Sequence, residues 1–265
     1  AATSIVPAGR VASVVMSTVS GAPAASGGDS LSEAAPTPGG STQRAAVASE
    51  EIQFRLPAEG DTVAPIETSM GIIDVVLYPQ LAPLAVENFT TLAGRGYYAD
   101  TTFHRVVRGF VVQGGDATGT GLGGESIWGS PFATERSDKL HHYAGALCMA
   151  AADGEADTHL SQFFIVASAQ DSLDETALAQ LSAAGLREAV VDAYRQAGGA
   201  PYLDNTDTVF GQVYAGMDVV DAIANVSVDD DGRPKNAVQV VGITAGSYPL
   251  AAGGDASSGV EDTGA

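Results

Sequence analysis

The run 103–116, FHRVVRGFVVQGGD, constrains the fold more than any other part of the sequence. Apolar and polar residues alternate in it at nearly period two, and its four valines are β-branched, which together favour a β-strand. Gly109 interrupts the run as a bulge or tight bend would, and Gly114-Gly115 ends it. Because a buried strand face gains nothing from an unpartnered charged or amide side chain, Arg105 and Gln113 are candidates for a functional site.

Other runs along the chain predict a mainly β domain with a few helices. β-Prone runs lie at 72–78, 143–150, 161–167, 208–214 and 238–244, and helical patterns lie at 83–93, 174–183, 186–197 and 217–226. A further strand is predicted around Val63 and Ile66. Pro65 lies inside it and lacks an N–H, so this strand is expected at a sheet edge or bulged. The helical segment at 172–199 is predicted to be an insertion packed on the β core.

Composition excludes several classes of function. The 265 residues include 12 basic and 32 acidic side chains, which gives a formal net charge of −20. That balance excludes a nucleic-acid surface, because no basic patch can dominate such a field. No apolar run is long enough to cross a bilayer. The single cysteine, Cys148, cannot form an intramolecular disulfide, and its apolar surroundings predict a buried small hydrophobe.

The two ends of the chain differ in composition from its middle. Residues 1–50 are rich in Ala, Ser, Thr, Gly and Pro, with hardly an aromatic, and are predicted to form a disordered tether. Residues 249–265 are predicted to be a disordered acidic tail. The folded domain is therefore expected at 51–248. The chain begins with Ala1, which fits either a removed leader or a cut chain, and the tether suggests an extracytoplasmic location, secreted or held at a surface.

Three motifs admit a functional interpretation but favour a simpler one. The glycines between 119 and 124 resemble a phosphate-binding loop, but no helical pattern follows them, so a mobile surface loop is predicted. The acids between 153 and 157 do not have the spacing of a calcium loop. The pair His141-His142 is predicted to be a surface pair, since neighbouring residues on a strand point to opposite faces and cannot share a metal. No metal site is predicted.

Six sequence blocks together resemble the cyclophilin-type peptidyl-prolyl cis-trans isomerases. In family order over roughly residues 62–246, they are LAP at 81–83 with VENF at 86–89, FHR at 103–105, GFVVQGGD at 109–116, GAL at 145–147 with MA at 149–150, SQFFI at 161–165, and VFGQV at 209–213. Each block alone is modest, and their combination is specific. The chain looks most like the bacterial members with a helical segment inserted before 199–204.

This resemblance implies a closed eight-stranded antiparallel barrel capped by two helices, at 83–93 and 217–225. It also implies a groove on the outer face for a proline-containing peptide, with no metal or cofactor. By position, Arg105 matches the catalytic arginine and Gln113 the glutamine that supports it. The other matching positions are Phe110, Val111, Phe164 and Leu203 as walls of the proline pocket, Gln162 and the backbone near Ala150 as holders of the peptide chain, Tyr202 as an aromatic wall, and Asp207 at the pocket rim.

The chain departs from the family pattern at three positions. Ala151 replaces an asparagine, and the loop from there to Ser161 is longer than usual. Tyr202 stands at the family's tryptophan position, which keeps an aromatic wall but changes the expected affinity for cyclosporin-like ligands. Asp207 replaces a histidine or tyrosine, and an acid there is expected to weaken the binding of acidic peptides.

The leading interpretation is an active prolyl isomerase that assists protein folding, with proline peptides and unfolded or folding proteins as partners. A monomer is expected. Two alternatives stay open at this point: a cyclophilin-like domain that binds proline peptides without turnover, and a chaperone or scaffold that uses the insertion at 172–199 as its partner surface.

Overall fold

The computed structural model describes residues 47–250. Its ten strands form one antiparallel sheet: β1 (Thr62–Thr68), β2 (Gly71–Leu77), β3 (Thr101–Thr102), β4 (Arg105–Val107), β5 (Val111–Gly114), β6 (Ala146–Ala151), β7 (His159–Val166), β8 (Thr208–Ala215), β9 (Gln239–Ile243) and β10 (Gly246–Ser247). The strand order is β3-β9-β1-β2-β8-β6-β7-β5-β4, and β10 pairs with β1. The mainly β architecture expected from the sequence is therefore confirmed. The predicted tether and tail, apart from residues 47–50 and 249–250, lie outside the described residues.

The sheet curls into an open half-barrel. The closed eight-stranded barrel is not confirmed, because the terminal strands β3 and β4 have two and three residues and are not paired with each other. An isolated antiparallel bridge joins Thr102 of β3 to Asp116, which lies two residues beyond the end of β5. Strands this short supply too few backbone hydrogen bonds to close a ladder.

Pro65 lies in the middle of the sheet, so the predicted edge position is wrong. The register shift of β1 lies between Glu67 and Thr68 rather than at Pro65. β1 pairs with β2 on one side and with both β9 and β10 on the other. Val63 is opposite Gly246 of β10, and Ile66 is opposite Ile243 of β9. Pro65 thus falls at the junction between these two short strands, where its missing N–H leaves no ladder hydrogen bond unmade.

Four helices pack against the sheet: α1 (Pro83–Gly94), α2 (Glu175–Ala183), α3 (Glu188–Ala197) and α4 (Met217–Ala224). α1 begins with Pro83, whose missing N–H costs nothing there. The residue before it, Ala82, has no side chain that could cap the helix. Glu135 takes that role from 51 residues away, since its carboxylate accepts the backbone N–H groups of Leu84 at 3.0 Å and Ala85 at 2.9 Å.

Alternating side chains divide the sheet into two apolar faces. The inner face and helices α1 and α4 form the main core, in which the Phe89 ring contacts the rings of both Phe163 and Phe210. The outer face carries a second apolar cluster that includes Val111 and Phe164. The predicted insertion is helical, and α2 and α3 form a third cluster around Tyr143 and neighbouring tyrosine and leucine side chains. None of the helices within 47–250 is both long enough and apolar enough to span a membrane.

Candidate active site

Strands β4, β5 and β7 place the predicted polar side chains side by side on the outer face of the sheet. Arg105 on β4 is directly opposite Gln113 on β5, and Gln113 is opposite Phe164 on β7. Gln162 lies two residues before Phe164 and so shares its face. Their sequence neighbours point inward to the main core: Val106, Val112, Phe163 and Ile165. Period-two alternation therefore explains how an apolar run can carry an exposed arginine.

A chain of hydrogen bonds runs from Arg105 to the glycine-rich loop. Arg105 Nη1 donates to Gln113 Oε1 at 3.3 Å, and Gln113 Nε2 donates to Gln162 Oε1 at 3.0 Å. Gln162 Nε2 donates to the carbonyl oxygens of Gly121 at 2.9 Å and Gly123 at 2.7 Å. Because carbonyl oxygens only accept, they fix the orientation of both amides and leave Gln113 with its oxygen towards the guanidinium.

An apolar cavity of about 180 Å³ adjoins the Arg105 side chain. It is lined by Arg105, Phe110, Val111, Gln113, Ala150, Ala151, Gly154, Phe164, Leu203 and Asp207. Phe164 is 7% exposed and forms the floor against the outer cluster. The structure thus brings eight of the ten predicted site residues into one cavity wall.

The other two predicted residues lie next to this cavity. Gln162 lines a neighbouring cleft of about 430 Å³ that shares Arg105, Gln113, Ala150 and Ala151 with it. Tyr202 lines neither space and is 67% exposed, but its ring centroid is 5.9 Å from that of Phe110. Tyr202 therefore belongs to the rim rather than to the wall.

The glycine-rich loop is held by a buried carboxylate. Asp116, which is fully buried, accepts hydrogen bonds from the Thr118 hydroxyl and from the backbone N–H groups of Thr118, Gly121 and Gly123. Burial alone would raise the pKa of Asp116, but these hydrogen bonds outweigh it and lower the pKa to about 2. The loop predicted as a mobile surface loop is thus fastened at its base, and its carbonyl groups orient Gln162.

The backbone at Ala150 lies at the edge of both spaces. The pairing of β6 with β7 shifts register between Met149 and Ala151, so Ala150 has no Cα partner in this ladder. The buried His159 donates through Nδ1 to the Ala150 carbonyl oxygen at 3.3 Å, while its Nε2 is 3.2 Å from the Thr208 hydroxyl. Burial lowers the pKa of His159, which keeps this imidazole neutral and suited to both contacts.

The three other histidines meet the sequence-based expectations to different degrees. His104 is buried as expected, and its ring nitrogens lie outside full hydrogen-bond geometry with the groups of residues 47–250. His141 and His142 are not a surface pair. Both Nδ1 atoms bond the Asp204 carboxylate, at 2.8 and 3.0 Å, because the two residues lie in a loop where both rings can turn the same way.

Two residues near the site were not predicted from the sequence, and neither carries a polar side chain. Gly154 lines the apolar cavity together with Ala151, which the sequence had marked as a departure from the family pattern. Leu122, with 90% of its surface exposed, lines the larger cleft. A small residue in a loop gives no periodic signal. Leu122 is the residue of this set that the sequence could have indicated, because a leucine between glycines in a loop is expected to be exposed.

Comparisons with known proteins agree with this geometry. The model of the family described as cyclophilin type peptidyl-prolyl cis-trans isomerase/CLD matches residues 63–245, more than half of the chain. A crystal structure of a Cryptosporidium parvum cyclophilin type peptidyl-prolyl cis-trans isomerase, obtained in the presence of the dipeptide Ala-Pro, superposes with a TM-score of 0.56 and 29% sequence identity. The match covers 69% of this chain and 98% of that one.

Two bacterial relatives carry the provisional name peptidyl-prolyl cis-trans isomerase. The protein from Staphylococcus saprophyticus is 45% identical over 175 residues, which covers 66% of this chain and 87% of the relative. The protein from Staphylococcus aureus is 41% identical over 185 residues, which covers 70% and 92%. The fold, the family match and these relatives together show that the chain belongs to the cyclophilin-type peptidyl-prolyl cis-trans isomerases.

Proposed function

We propose that this isomerase accelerates rotation about X–Pro bonds by electrostatic stabilisation from Arg105, with the proline ring held in the adjoining apolar cavity. The observation that carries the proposal is the position of the Arg105 guanidinium, which lines the cavity while Gln113 and Gln162 fix its orientation. A permanently charged planar donor suits this task, because its charge does not change over the physiological pH range.

The reaction requires no nucleophile and no redox step. Resonance gives the peptide C–N bond partial double-bond character, and its rotation barrier is ~18–20 kcal/mol. In the twisted transition state the resonance is lost, and the proline nitrogen becomes pyramidal and basic. A hydrogen bond from a guanidinium N–H to this nitrogen stabilises the twisted state more than either planar state, so it lowers the rotation barrier.

The cavity walls account for the choice of proline. Phe110, Val111, Phe164 and Leu203 present an apolar surface to a pyrrolidine ring, whose burial is favourable. The backbone at Ala150 would hold the chain on one side of the bond, which leaves the other side free to rotate. The Ala-Pro dipeptide present with the Cryptosporidium parvum relative supports Ala-Pro sequences as first test substrates.

We expect Arg105→Ala to lower kcat/KM by about 100-fold or more, the range observed when one preorganised donor is removed. Because Arg105 is exposed, the variant should keep the wild-type unfolding midpoint. Arg105→Lys should fall between wild type and alanine, since it restores charge without the planar fork. The measurement is a chymotrypsin-coupled assay on an Ala-Pro tetrapeptide.

Arg108 provides a matched control three residues away. It is also exposed, and its Nη2 donates to the Asn225 carbonyl oxygen at 3.3 Å, away from the cavity. Arg108→Ala should keep kcat/KM within about twofold of wild type. Equal activity in the two alanine variants would contradict the role of Arg105.

The proposal extends to the partners, the oligomeric state and the location of the protein. Exposed X–Pro bonds in unfolded or folding proteins are the proposed substrates, and cyclosporin-like ligands are proposed to bind with an affinity altered by Tyr202. An extracytoplasmic location is proposed from the tether-like composition of residues 1–50, and the protein is proposed to be a monomer. Size-exclusion chromatography with light scattering tests the oligomeric state, and fractionation of the source cells tests the location.

A further inference from the structure

A partly buried carboxylate lies directly beside the proline pocket and has no part in the mechanism above. Asp204 follows Leu203, and its side chain is 11% exposed. It accepts four hydrogen bonds: from His141 Nδ1 at 2.8 Å, from His142 Nδ1 at 3.0 Å, from the His142 backbone N–H at 2.9 Å, and from the Tyr194 hydroxyl at 2.8 Å. Burial opposes its ionisation, but the hydrogen bonds from the two histidines prevail and lower the pKa of Asp204.

The segment that Asp204 anchors carries one wall of the pocket. Leu203 ends a 3-10 helix of three residues, Pro201–Leu203. A helix this short does not hold its own geometry, because it has hardly any internal hydrogen bonds. Contacts at its two ends hold it instead: the Ala200 N–H donates to the His142 carbonyl oxygen at 2.8 Å, and Asp204 is fixed by its four donors.

The same anchor also supports a second wall. The His142 ring is stacked against Phe164, with centroids 6.3 Å apart and an interplanar angle of 14°. His142 is therefore bonded to Asp204 on one side and packs against the pocket floor on the other. A displacement of the Asp204 carboxylate would move Leu203 through the backbone and Phe164 through the His142 ring.

The fourth donor to Asp204 comes from the inserted helical segment. Tyr194 lies on α3, is fully buried, and packs with its ring centroid 4.5 Å from that of Tyr143. Its hydroxyl donates a hydrogen bond to Asp204 and so connects α3 with the segment that carries Leu203. The helices of the insertion do not line the pocket, so any influence on catalysis must pass through contacts of this kind.

We propose that Tyr194 and Asp204 are positioning residues of the isomerase, and that the insertion sets the shape of the proline pocket through the Tyr194–Asp204 hydrogen bond. This inference rests on the proposed role of the cavity as the proline pocket. A pocket with displaced walls binds the proline ring less tightly, whether the peptide bond is planar or twisted. Loss of such uniform binding raises KM and leaves kcat nearly unchanged.

Tyr143 provides a control of the same substitution in the same cluster. It is fully buried like Tyr194, but its hydroxyl has no hydrogen-bond partner within residues 47–250. Tyr143→Phe therefore removes an equal number of atoms without breaking a contact to Asp204. Both variants keep their aromatic rings, so both should fold.

We expect Tyr194→Phe to raise KM for the Ala-Pro tetrapeptide about three- to tenfold with kcat within twofold, because only part of the energy of the lost hydrogen bond acts on the pocket walls. Tyr143→Phe should keep both constants within twofold. Asp204→Asn, which retains the shape but has one oxygen left to accept hydrogen bonds, should raise KM further. All assays are run at 10 °C, with folding checked by the thermal unfolding midpoint, so that a loss of stability alone does not change KM.

A second measurement is independent of activity. The methyl NMR signals of Leu203 should shift in Tyr194→Phe and stay in place in Tyr143→Phe. Equal KM values in the two tyrosine variants, or unshifted Leu203 methyl signals in Tyr194→Phe, would overturn the inference. A fall in kcat without a change in KM would also overturn it, since the hydrogen bond would then act on the reacting bond. The proposed catalytic role of Arg105 is tested separately, because wild-type activity of Arg105→Ala would contradict that role without bearing on Tyr194.

Discussion

Gln162 links Arg105, through Gln113, to the glycine-rich loop. Its oxygen accepts from Gln113 at 3.0 Å, and its nitrogen donates to two carbonyl groups of the glycine-rich loop. The loop backbone therefore determines which way both glutamine amides point. Because Arg105 Nη1 donates to the Gln113 oxygen, the same network favours one orientation of the guanidinium.

We expect Gln162→Leu to lower kcat about tenfold for the Ala-Pro tetrapeptide. The variant leaves the Gln113 amide without its acceptor, so Arg105 spends less time in the productive orientation, at a cost of about 1–2 kcal/mol in the transition state. The measurement is the coupled assay over a range of substrate concentrations. Gln196→Leu is the control, because Gln196 bonds the backbone of Ala48 away from the groove. A Gln162→Leu enzyme with wild-type kcat would show that the loop does not orient the arginine.

The glycine-rich loop gains its shape from one residue at its base. Asp116 provides the negative charge around which six N–H and O–H donors of residues 118–123 converge. Glycine fits here because a Cβ at Gly123 would lie 2.3 Å from an Asp116 carboxylate oxygen. The sequence pattern GTGLGG therefore reflects close approach of the backbone to a carboxylate rather than to a phosphate.

The stability contributed by Asp116 should depend on pH in the acid range. Its pKa is about 2 in the folded chain and 3.8 in an unperturbed carboxyl group, so its contribution is complete above about pH 4 and is lost as the pH falls through about 2. At pH 7, Asp116→Asn should lower the free energy of unfolding by about 1–3 kcal/mol. The difference from wild type should shrink between pH 4 and pH 2 in urea denaturation.

The control for this pH series is Asp171→Asn, at an exposed position. Its difference from wild type should stay within about 0.5 kcal/mol at every pH. An Asp116→Asn difference that does not change between pH 4 and pH 2 would mean that the loop is held by contacts other than the charged carboxylate.

The charge of the whole molecule should influence the choice of substrate. A net charge of −20 attracts basic peptides and repels acidic ones, and Asp207 adds a negative group in the pocket wall itself. At an ionic strength of about 0.01 M the screening length is ~30 Å, and at about 1 M it is ~3 Å. The distant charges should therefore act only at low salt, whereas Asp207 should still act at high salt.

We expect kcat/KM to be about three- to tenfold higher for a Lys-Ala-Pro peptide than for its Glu-Ala-Pro counterpart at low salt. The ratio should fall towards unity as sodium chloride rises to 1 M. Asp207→Asn should remove most of the preference that persists at 1 M. If the ratio of the two kcat/KM values does not depend on salt, the net charge has no effect and the preference arises from contacts in the pocket alone.

The sequence by itself determined the local features of this protein. The period-two alternation of 103–116 separated Arg105 and Gln113 from the inward-facing valines, and the helical patterns at 83–93, 174–197 and 217–226 agree with α1 to α4 within a few residues. These features follow from backbone geometry and from neighbouring side chains, which a short window of sequence contains. The family blocks gave the isomerase assignment for the same reason, because each is a local segment.

Tertiary structure decided the contacts between distant residues. Glu135 caps α1 from 51 residues away. His141 and His142 bond Asp204 across more than 60 residues, a contact that the sequence could not show, and they were therefore predicted to be a surface pair. The open edge between β3 and β4 and the place of Pro65 between two partner strands likewise depend on which strands meet. Such pairings are set by how the whole chain closes its loops and buries its apolar faces, and no local pattern encodes that geometry.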